Sequence, residues 1–173
     1  VEDAVVESCN ILMDAGVDFL WFPTPNFGGY CISRKTYEKC ISKSNIHALK
    51  RIKENGAWIV LHTCGLYDDR FDLVLDESGD AWHISDTSTK KIKEQYGDKV
   101  ALMGSIPCVP VLMEGTEQEV YDFCYKECMD AAKDGRFILS GDCDVPPGTS
   151  DENMKAAVRA AKDAEKVLFG KAE

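Results

Sequence analysis

The sequence predicts an α/β fold, a partial (β/α)8 (TIM) barrel with mostly parallel strands. Short apolar runs alternate with segments of helical periodicity along all 173 residues, as in successive βα units. Strands this apolar suit a parallel sheet that is covered on both faces. The chain contains no glycine-rich phosphate-binding fingerprint of the dinucleotide or Walker type, and its chemically active residues follow the strands. A barrel, whose chemistry gathers at the carboxyl ends of the strands, is therefore favoured over an open doubly wound sheet.

The predicted elements follow one another without a linker, so a single domain, 1–173, is expected. The first helix ends at Gly16, and Ser33 is predicted to cap the second helix. The strands are predicted at 17–22, 57–61, 81–85, 100–104 and 136–141. The helices are predicted at 2–15, 33–55, 68–78, 88–97, 116–134 and 150–169.

The composition is that of a soluble globular protein, with 45% hydrophobic and 29% charged residues. A net charge of −10 argues against binding to nucleic acid, which requires a basic face, and against anionic membrane surfaces. No apolar run approaches the roughly 18 residues of a membrane-spanning helix. We therefore expect a cytoplasmic location.

Eight cysteines are many for this length, and without an export signal they are expected to be reduced thiols. Cys124 and Cys128 lie four residues apart on a predicted helix, on an apolar stripe with Val120 and Ala131. This pattern indicates core packing rather than a metal site. Most of the other cysteines are likewise expected to behave as small core residues.

Several polar or reactive residues lie where predicted strands run into loops: Pro23, Thr24, His62, Cys64, Ser85, Asp86, Ser105 and Cys143. His62 and Cys64 are two residues apart at a strand end, so their side chains point to the same side. Cys143 follows the last strand at the same end of its own βα unit. An imidazole and two thiolates suit Zn²⁺, and three protein ligands leave a position open, as in catalytic zinc sites. The alternative is a packed cysteine and a hydrogen-bonded histidine.

Three segments carry a resemblance to a known family: "VLHTCG", "GDKVALMGSI" and "FILSGDCDVPPGTSDENMKAAVRAAKD". They resemble the C-terminal half of the uroporphyrinogen decarboxylase superfamily, and within it the zinc-dependent methylcobalamin:coenzyme M methyltransferase branch. That branch carries His-x-Cys on one barrel strand and a single Cys after the last strand, and here 143 − 64 gives 79 residues between the two cysteines. The decarboxylases have a His-Gly sequence where this chain has Asp142-Cys143, and they need no metal.

The resemblance implies a methyltransferase of one-carbon metabolism, as in methanogenesis. It would move a methyl group from methylcobalamin, carried on a corrinoid protein, to a small thiol such as coenzyme M. The implied cofactor is Zn²⁺, held by His62, Cys64 and Cys143, which activates the thiol. Asp86 is a candidate fourth ligand, and a helix N-cap is the alternative role for it.

Two other functions remain open: a decarboxylase-like enzyme without metal, and a non-catalytic half-barrel that binds a corrinoid protein. By the resemblance, the five strands are the last five of eight, so the chain is expected to be a fragment that lacks the first three βα units. An open five-stranded piece would expose apolar surface. A missing N-terminal half, or a second copy in a homodimer, is expected to cover that surface, and the isolated fragment is expected to have doubtful activity.

Overall fold

The computed structural model describes residues 2–170, which form two compact units that divide between Trp82 and His83. Helices and strands alternate along both units, as the sequence predicts. Among the described residues, no helix combines the length and apolar character that a bilayer crossing requires.

The first unit contains two complete parallel strands, β1 (Phe19–Pro23) and β2 (Trp58–Thr63), and β2 is followed in the sheet by β3 (Ala81–Ile84). Its helices are α1 (Glu2–Asp14), α2 (Arg34–Thr36), α3 (Lys43–Lys53) and α4 (Phe71–Asp76), with a π-helical turn at Tyr37–Ser42. Ser33 caps α2 by accepting a hydrogen bond from the Thr36 N–H, which confirms the predicted N-cap.

Alternation along β1 and β2 separates a buried face from a face that is exposed at Phe19 and Trp58 but buried at His62. Leu20, Ile59 and Leu61 are almost wholly buried. The opposite face carries Phe19 opposite Trp58, and Pro23 opposite His62. β2 extends two residues beyond its predicted end, because the Thr24 N–H continues the ladder by donating to the His62 carbonyl at 3.0 Å. His62 is therefore a strand residue.

The second unit continues from β3 through α5 (Thr89–Tyr96), β4 (Ala101–Met103), a π-helical turn (Cys108–Met113), α6 (Glu117–Ala131), β5 (Phe137–Ile138) and α7 (Asp151–Phe169). β4 lies between β3 and β5, and it pairs in parallel with β5. The core of this unit is formed largely by α6 and α7, and its buried members are Ile106, Leu112, Val120, Cys124, Ala156, Ala157 and Ala160.

Two elements of the second unit differ from prediction. Regular strand structure in β5 covers only two residues instead of 136–141, although the Asp142 N–H still donates to the Ile106 carbonyl at 2.8 Å. The segment predicted as a loop before α6 contains the π-helical turn. Pro110 within that turn has no N–H, and the Leu112 N–H donates to the carbonyl of Pro107, five residues back, at 3.1 Å.

Candidate metal centre

His62 and Cys64 form a compact pair of metal-ligating side chains in the first unit. A ring nitrogen of His62 and the Sγ of Cys64 lie within 4.8 Å of each other. His62 is buried, with 6% of its surface exposed, and Cys64 is half-buried. The Trp21 ring stacks on the His62 imidazole with 5.4 Å between ring centroids, which restricts the rotation of the imidazole. The end of β2 therefore carries a candidate histidine–cysteine metal site.

The loop after β1 lies directly against the loop that carries Cys64. A Cβ on Gly28 would lie 3.0 Å from the Cys64 carbonyl oxygen, so a larger residue would push the two loops apart. The Gly29 N–H donates to the Leu66 carbonyl at 2.6 Å. This close approach explains the two consecutive glycines.

Arg70 stabilises the loop after β1 from beneath. Only 1% of its side chain is exposed, and its guanidinium donates to the carbonyls of Phe27 at 2.7 Å and Ile32 at 3.1 Å. The carboxylate of Asp69 balances its charge at 2.8 Å. Sequence reasoning missed this residue, because an arginine within "DDRFD" is typical of a solvated surface.

A buried carboxylate links the helical segment after β1 to α4. Glu77 accepts hydrogen bonds from the Tyr37 hydroxyl at 2.5 Å and from the Asn45 amide at 3.0 Å. Burial raises the pKa of Glu77 to about 7. Sequence reasoning missed this residue too, since a glutamate at the end of a helix gives no sign of burial.

Cys143 lies in the second unit, in an exposed loop after β5. Its own backbone is held by Cys108, whose Sγ donates to the Cys143 carbonyl at 3.3 Å. Two residues earlier, the Gly141 carbonyl accepts a hydrogen bond from Nε2 of the buried His83 at 2.6 Å. Burial lowers the pKa of His83, which favours a neutral ring that donates from Nε2. His83 thus supports the loop of Cys143.

Gly141 leaves too little room for a side chain unless Cys108 shifts. An added Cβ would lie 2.6 Å from the Cys108 Sγ, well inside contact distance. The adjacent Asp142 carboxylate accepts a hydrogen bond from the Cys108 N–H at 3.0 Å. Cys108, which the sequence placed in a loop at the barrel mouth, is therefore a buried residue that shapes the segment before Cys143.

Asp86 lies in the second unit, in the loop after β3, where it adopts a positive φ of 48°. Its alternative role as a helix N-cap is wrong, since the Ser88 side chain accepts from the Lys91 N–H and caps α5. Asp86 lines a polar cavity of about 310 Å³ with Ser105, Glu127 and Asp142.

Three polar atoms at this cavity are buried without a hydrogen-bond partner among the described residues: Thr87 Oγ1, Thr89 Oγ1 and Glu127 Oε2. The Thr89 hydroxyl is near enough to lower the pKa of Glu127, but no hydrogen bond of normal geometry joins them. Burial is the larger influence and raises that pKa. Ordered water is the simplest way to satisfy such groups.

The cysteines outside the proposed site differ in burial. Cys124 and Cys128 are buried in the core as predicted, and burial raises their thiol pKa values to about 12 and about 11. Both thiols therefore stay protonated at neutral pH and are poor ligands. Cys31 is exposed, and His47 on α3 is exposed and pairs with Glu2. No cysteine of the described residues forms a disulfide.

The donor set fits zinc better than a hard cation. An imidazole nitrogen and a sulfur are the ligands that Zn²⁺ prefers, whereas Mg²⁺ and Ca²⁺ require oxygen donors. The stacked Trp21 supplies an apolar wall beside the imidazole, where a metal ligand gains from being held in one orientation.

Comparison with known sequences assigns the family. The family described as uroporphyrinogen decarboxylase (URO-D) matches residues 1–164. The chain belongs to this family. Among curated proteins, it is similar to the methylated-thiol–coenzyme M methyltransferase of Methanosarcina mazei, with 25% identity over 162 residues. That match covers 93% of this chain and 42% of the relative.

A solved structure of a methyltransferase from Methanosarcina mazei has the same fold. The TM-score is 0.83 at 20% sequence identity, and the match covers 94% of this chain and 47% of that one. The predicted fold class, α/β with parallel strands as part of a (β/α)8 barrel, is confirmed. The chain spans less than half the length of each of these two proteins.

Proposed function

We propose that this chain is the zinc-binding part of a methyltransferase that moves a methyl group from a methylated corrinoid protein to a small thiol such as coenzyme M. The observation that carries the proposal is the His62–Cys64 pair at the end of a barrel strand. Membership of the uroporphyrinogen decarboxylase family and the name of the curated relative support it. The expected location is the cytoplasm.

The proposed ligands are His62, Cys64 and Cys143. Asp86 remains a proposed fourth ligand of the resting enzyme, displaced when the substrate thiol arrives, and it lies in the loop after β3, where barrel enzymes carry their chemistry. Three ligands of the soft nitrogen and sulfur type leave a position for the substrate sulfur. The separation of Cys143 from Cys64 along the chain, 143 − 64 = 79 residues, supports this set by resemblance to the methyltransferase branch.

Zinc bound there would lower the pKa of an incoming thiol, so that a thiolate is available at neutral pH. The residues of the chain orient the reaction. Trp21 fixes the plane of the His62 ring, and burial of His62 excludes water from one side of the site. The transfer would break the carbon–cobalt bond of the methyl donor, with its electron pair left on cobalt, form a carbon–sulfur bond to the acceptor and release the thiol proton. The corrinoid supplies the difficult chemistry.

We propose further that these five βα units are the last five of eight. The face of β1 and β2 that carries His62 also exposes Phe19 by 56%, Trp21 by 41% and Trp58 by 66%. Large aromatic side chains on one sheet face require a cover in the working protein. The proposed cover is the first three βα units, and a second copy of this chain is the other arrangement that would bury the face.

Metal analysis tests the proposal most directly. After incubation with zinc and gel filtration, we expect about one zinc per chain, measured by mass spectrometry of the metal. His62→Ala and Cys143→Ser should abolish the stoichiometric metal. Matched controls are His47→Ala and Cys40→Ser, which replace exposed residues of the same two types and should retain it.

A second measurement separates the competing functions. With methylcobalamin and a panel of thiols, the zinc-loaded protein should accelerate loss of the methyl–cobalt absorbance, provided that the remaining βα units are supplied. A wild-type protein that binds no zinc would refute the methyltransferase and leave a decarboxylase-like enzyme or a non-catalytic scaffold. Stoichiometric zinc without any turnover in the completed barrel would favour a corrinoid-binding scaffold.

A further inference from the structure

One buried threonine contacts both ends of the loop that carries Cys64. The backbone N–H and the hydroxyl of Thr24 both donate to the His62 carbonyl, at 3.0 and 2.8 Å. The Tyr67 hydroxyl lies 2.8 Å from the carbonyl oxygen of Thr24 and 2.8 Å from its Oγ1. Thr24 is 3% exposed and Tyr67 is not exposed at all, so water cannot replace these hydrogen bonds.

These contacts close residues 62–67 into a ring. At one end of this segment, His62 is hydrogen-bonded to Thr24. At the other end, the Tyr67 hydroxyl is hydrogen-bonded to the same Thr24. Cys64 lies inside the ring, next to Gly65, whose φ of 90° gives the loop a conformation that other residues rarely adopt. Without the two hydroxyls, a segment containing glycine would gain backbone freedom between the two proposed ligands and the end of the loop.

We propose that Thr24 and Tyr67 form a hydroxyl clip, defined by these two residues, that positions His62 and Cys64 for the metal. This inference rests on the proposed zinc site. Both are positioning residues, because they act through the backbone of the ligands and do not touch the ion. By ordering the loop before the metal arrives, the clip reduces the entropy lost on binding.

The clip depends on the hydroxyl of Tyr67 and not on its ring. The ring is held independently, since the Arg70 guanidinium lies over it at 5.8 Å from the ring centroid and the Phe71 ring packs at 6.2 Å between centroids. Burial also raises the pKa of Tyr67, so its hydroxyl keeps its proton and remains a donor at every working pH. Tyr67→Phe therefore removes the hydrogen bonds and leaves the packing.

Cobalt(II) substitution provides the test. Titration of the metal-free protein with Co²⁺ gives both an affinity and the sulfur-to-cobalt charge-transfer absorption, which reports the ligand geometry. For Tyr67→Phe and Thr24→Val we expect the dissociation constant to rise about tenfold, equivalent to about 1.4 kcal/mol, with altered absorption. Thr24→Ser keeps the hydroxyl and should restore wild-type values. Tyr121→Phe is the matched control, because it removes a tyrosine hydroxyl that bonds Asp163 in the second unit.

Amide hydrogen exchange in the metal-free protein separates failure of the clip from failure of the zinc site. Tyr67→Phe should speed the exchange of residues 62–66 at least fivefold, and Tyr121→Phe should leave it unchanged. Wild-type exchange in Tyr67→Phe, or an unaltered cobalt affinity and spectrum, would overturn the clip. A wild-type protein that binds no cobalt would instead refute the proposed function, and the exchange rates would still decide whether the clip orders this loop.

Discussion

The two segments that carry the proposed ligands are built differently. His62 lies within β2, its ring is stacked by Trp21, and the loop that follows is bound by buried side chains. Cys143 lies in an exposed loop after a strand of two residues, and the loop is held mainly at Gly141 and at the Cys143 carbonyl. The first segment is fixed by the strand and by polar groups beneath it, whereas the second is fixed by a few contacts to its backbone.

The difference suggests that the two segments have different roles in metal binding. His62 and Cys64, at the end of a strand, are ordered before any ligand binds. Cys143, in an exposed loop, can move without disturbing a strand. We expect His62 and Cys64 to set the position of the ion and Cys143 to complete its coordination last. The stability of the first segment should then depend on buried polar residues, and that of the second on close packing at one glycine.

The largest expected effect is at Arg70. Replacement by Met should lower the free energy of unfolding by about 3–5 kcal/mol, because the part-buried carbonyls of Phe27 and Ile32 lose their buried donor and Asp69 loses its partner. Chemical denaturation measures the loss. Arg34→Met is the matched control, since that arginine pairs with Asp72 at the surface and should cost less than about 1 kcal/mol. Equal losses of unfolding free energy in the two variants would contradict the claim that the buried Arg70 stabilises the first segment more than a surface arginine does.

The free energy of unfolding is also expected to depend on pH through Glu77, which, like Arg70, is a buried ionisable residue. The folded-state pKa of about 7 lies above the ordinary pKa of a glutamate, 4.5, so folding favours the protonated form. Its stabilising contribution is complete below pH 4.5 and is lost as the pH rises towards 7, by an amount on the order of 3 kcal/mol. Glu77→Gln should remove this part of the pH dependence in denaturation curves. A wild-type curve that does not fall between pH 4.5 and 7 relative to Glu77→Gln would show that Glu77 is not buried in this way.

The smallest of the three effects is expected in the second segment. Gly141→Ala should cost about 2 kcal/mol, because the new methyl group overlaps with the Cys108 sulfur. It should also weaken cobalt binding through displacement of Cys143. Cys108→Ala should relieve the overlap, so the double variant should be more stable than the sum of the single effects predicts. Additive losses would place the strain elsewhere.

A substitution on α6 serves as a control that lowers the stability of the protein without changing the proposed metal site. Thr116 caps this helix through the Glu119 N–H and takes part in a capping box. Thr116→Ala should therefore cost about 1 kcal/mol. If it also weakened cobalt binding, the effect of Gly141→Ala on the metal could not be assigned to Cys143.

Local signals in the sequence predicted much of the fold. Ser33, Thr116 and Ser150 stand at the starts of helices where capping chemistry requires them, and the structure places N-caps at all three. His62 and Cys64 could be recognised as a pair because their separation of two residues at a strand end already puts both side chains on one side. Cys143 was recognised from its position after the last strand and from the resemblance, and its role as a ligand stays a prediction.

Features that depend on tertiary contacts could not be predicted. Nothing local distinguishes Arg70 from a surface arginine, since its burial follows from carbonyls more than thirty residues away in the chain. The π-helical turn forms around Pro110, which has no N–H to donate. Apart from this proline, the sequence contains no signal for such a turn. The clip was equally invisible, because Thr24 and Tyr67 are separated by 43 positions.

The stacking of Trp21 on His62 gives this protein an optical probe of its own. An indole 5.4 Å from an imidazole would be quenched by any paramagnetic ion that the imidazole binds. Its emission should therefore dim as cobalt is added and recover when a chelator removes it. Trp82, which is fully buried, would provide a steadier background signal. Occupancy of the centre could thus be followed in real time, without labelling the chain and without a methyl donor.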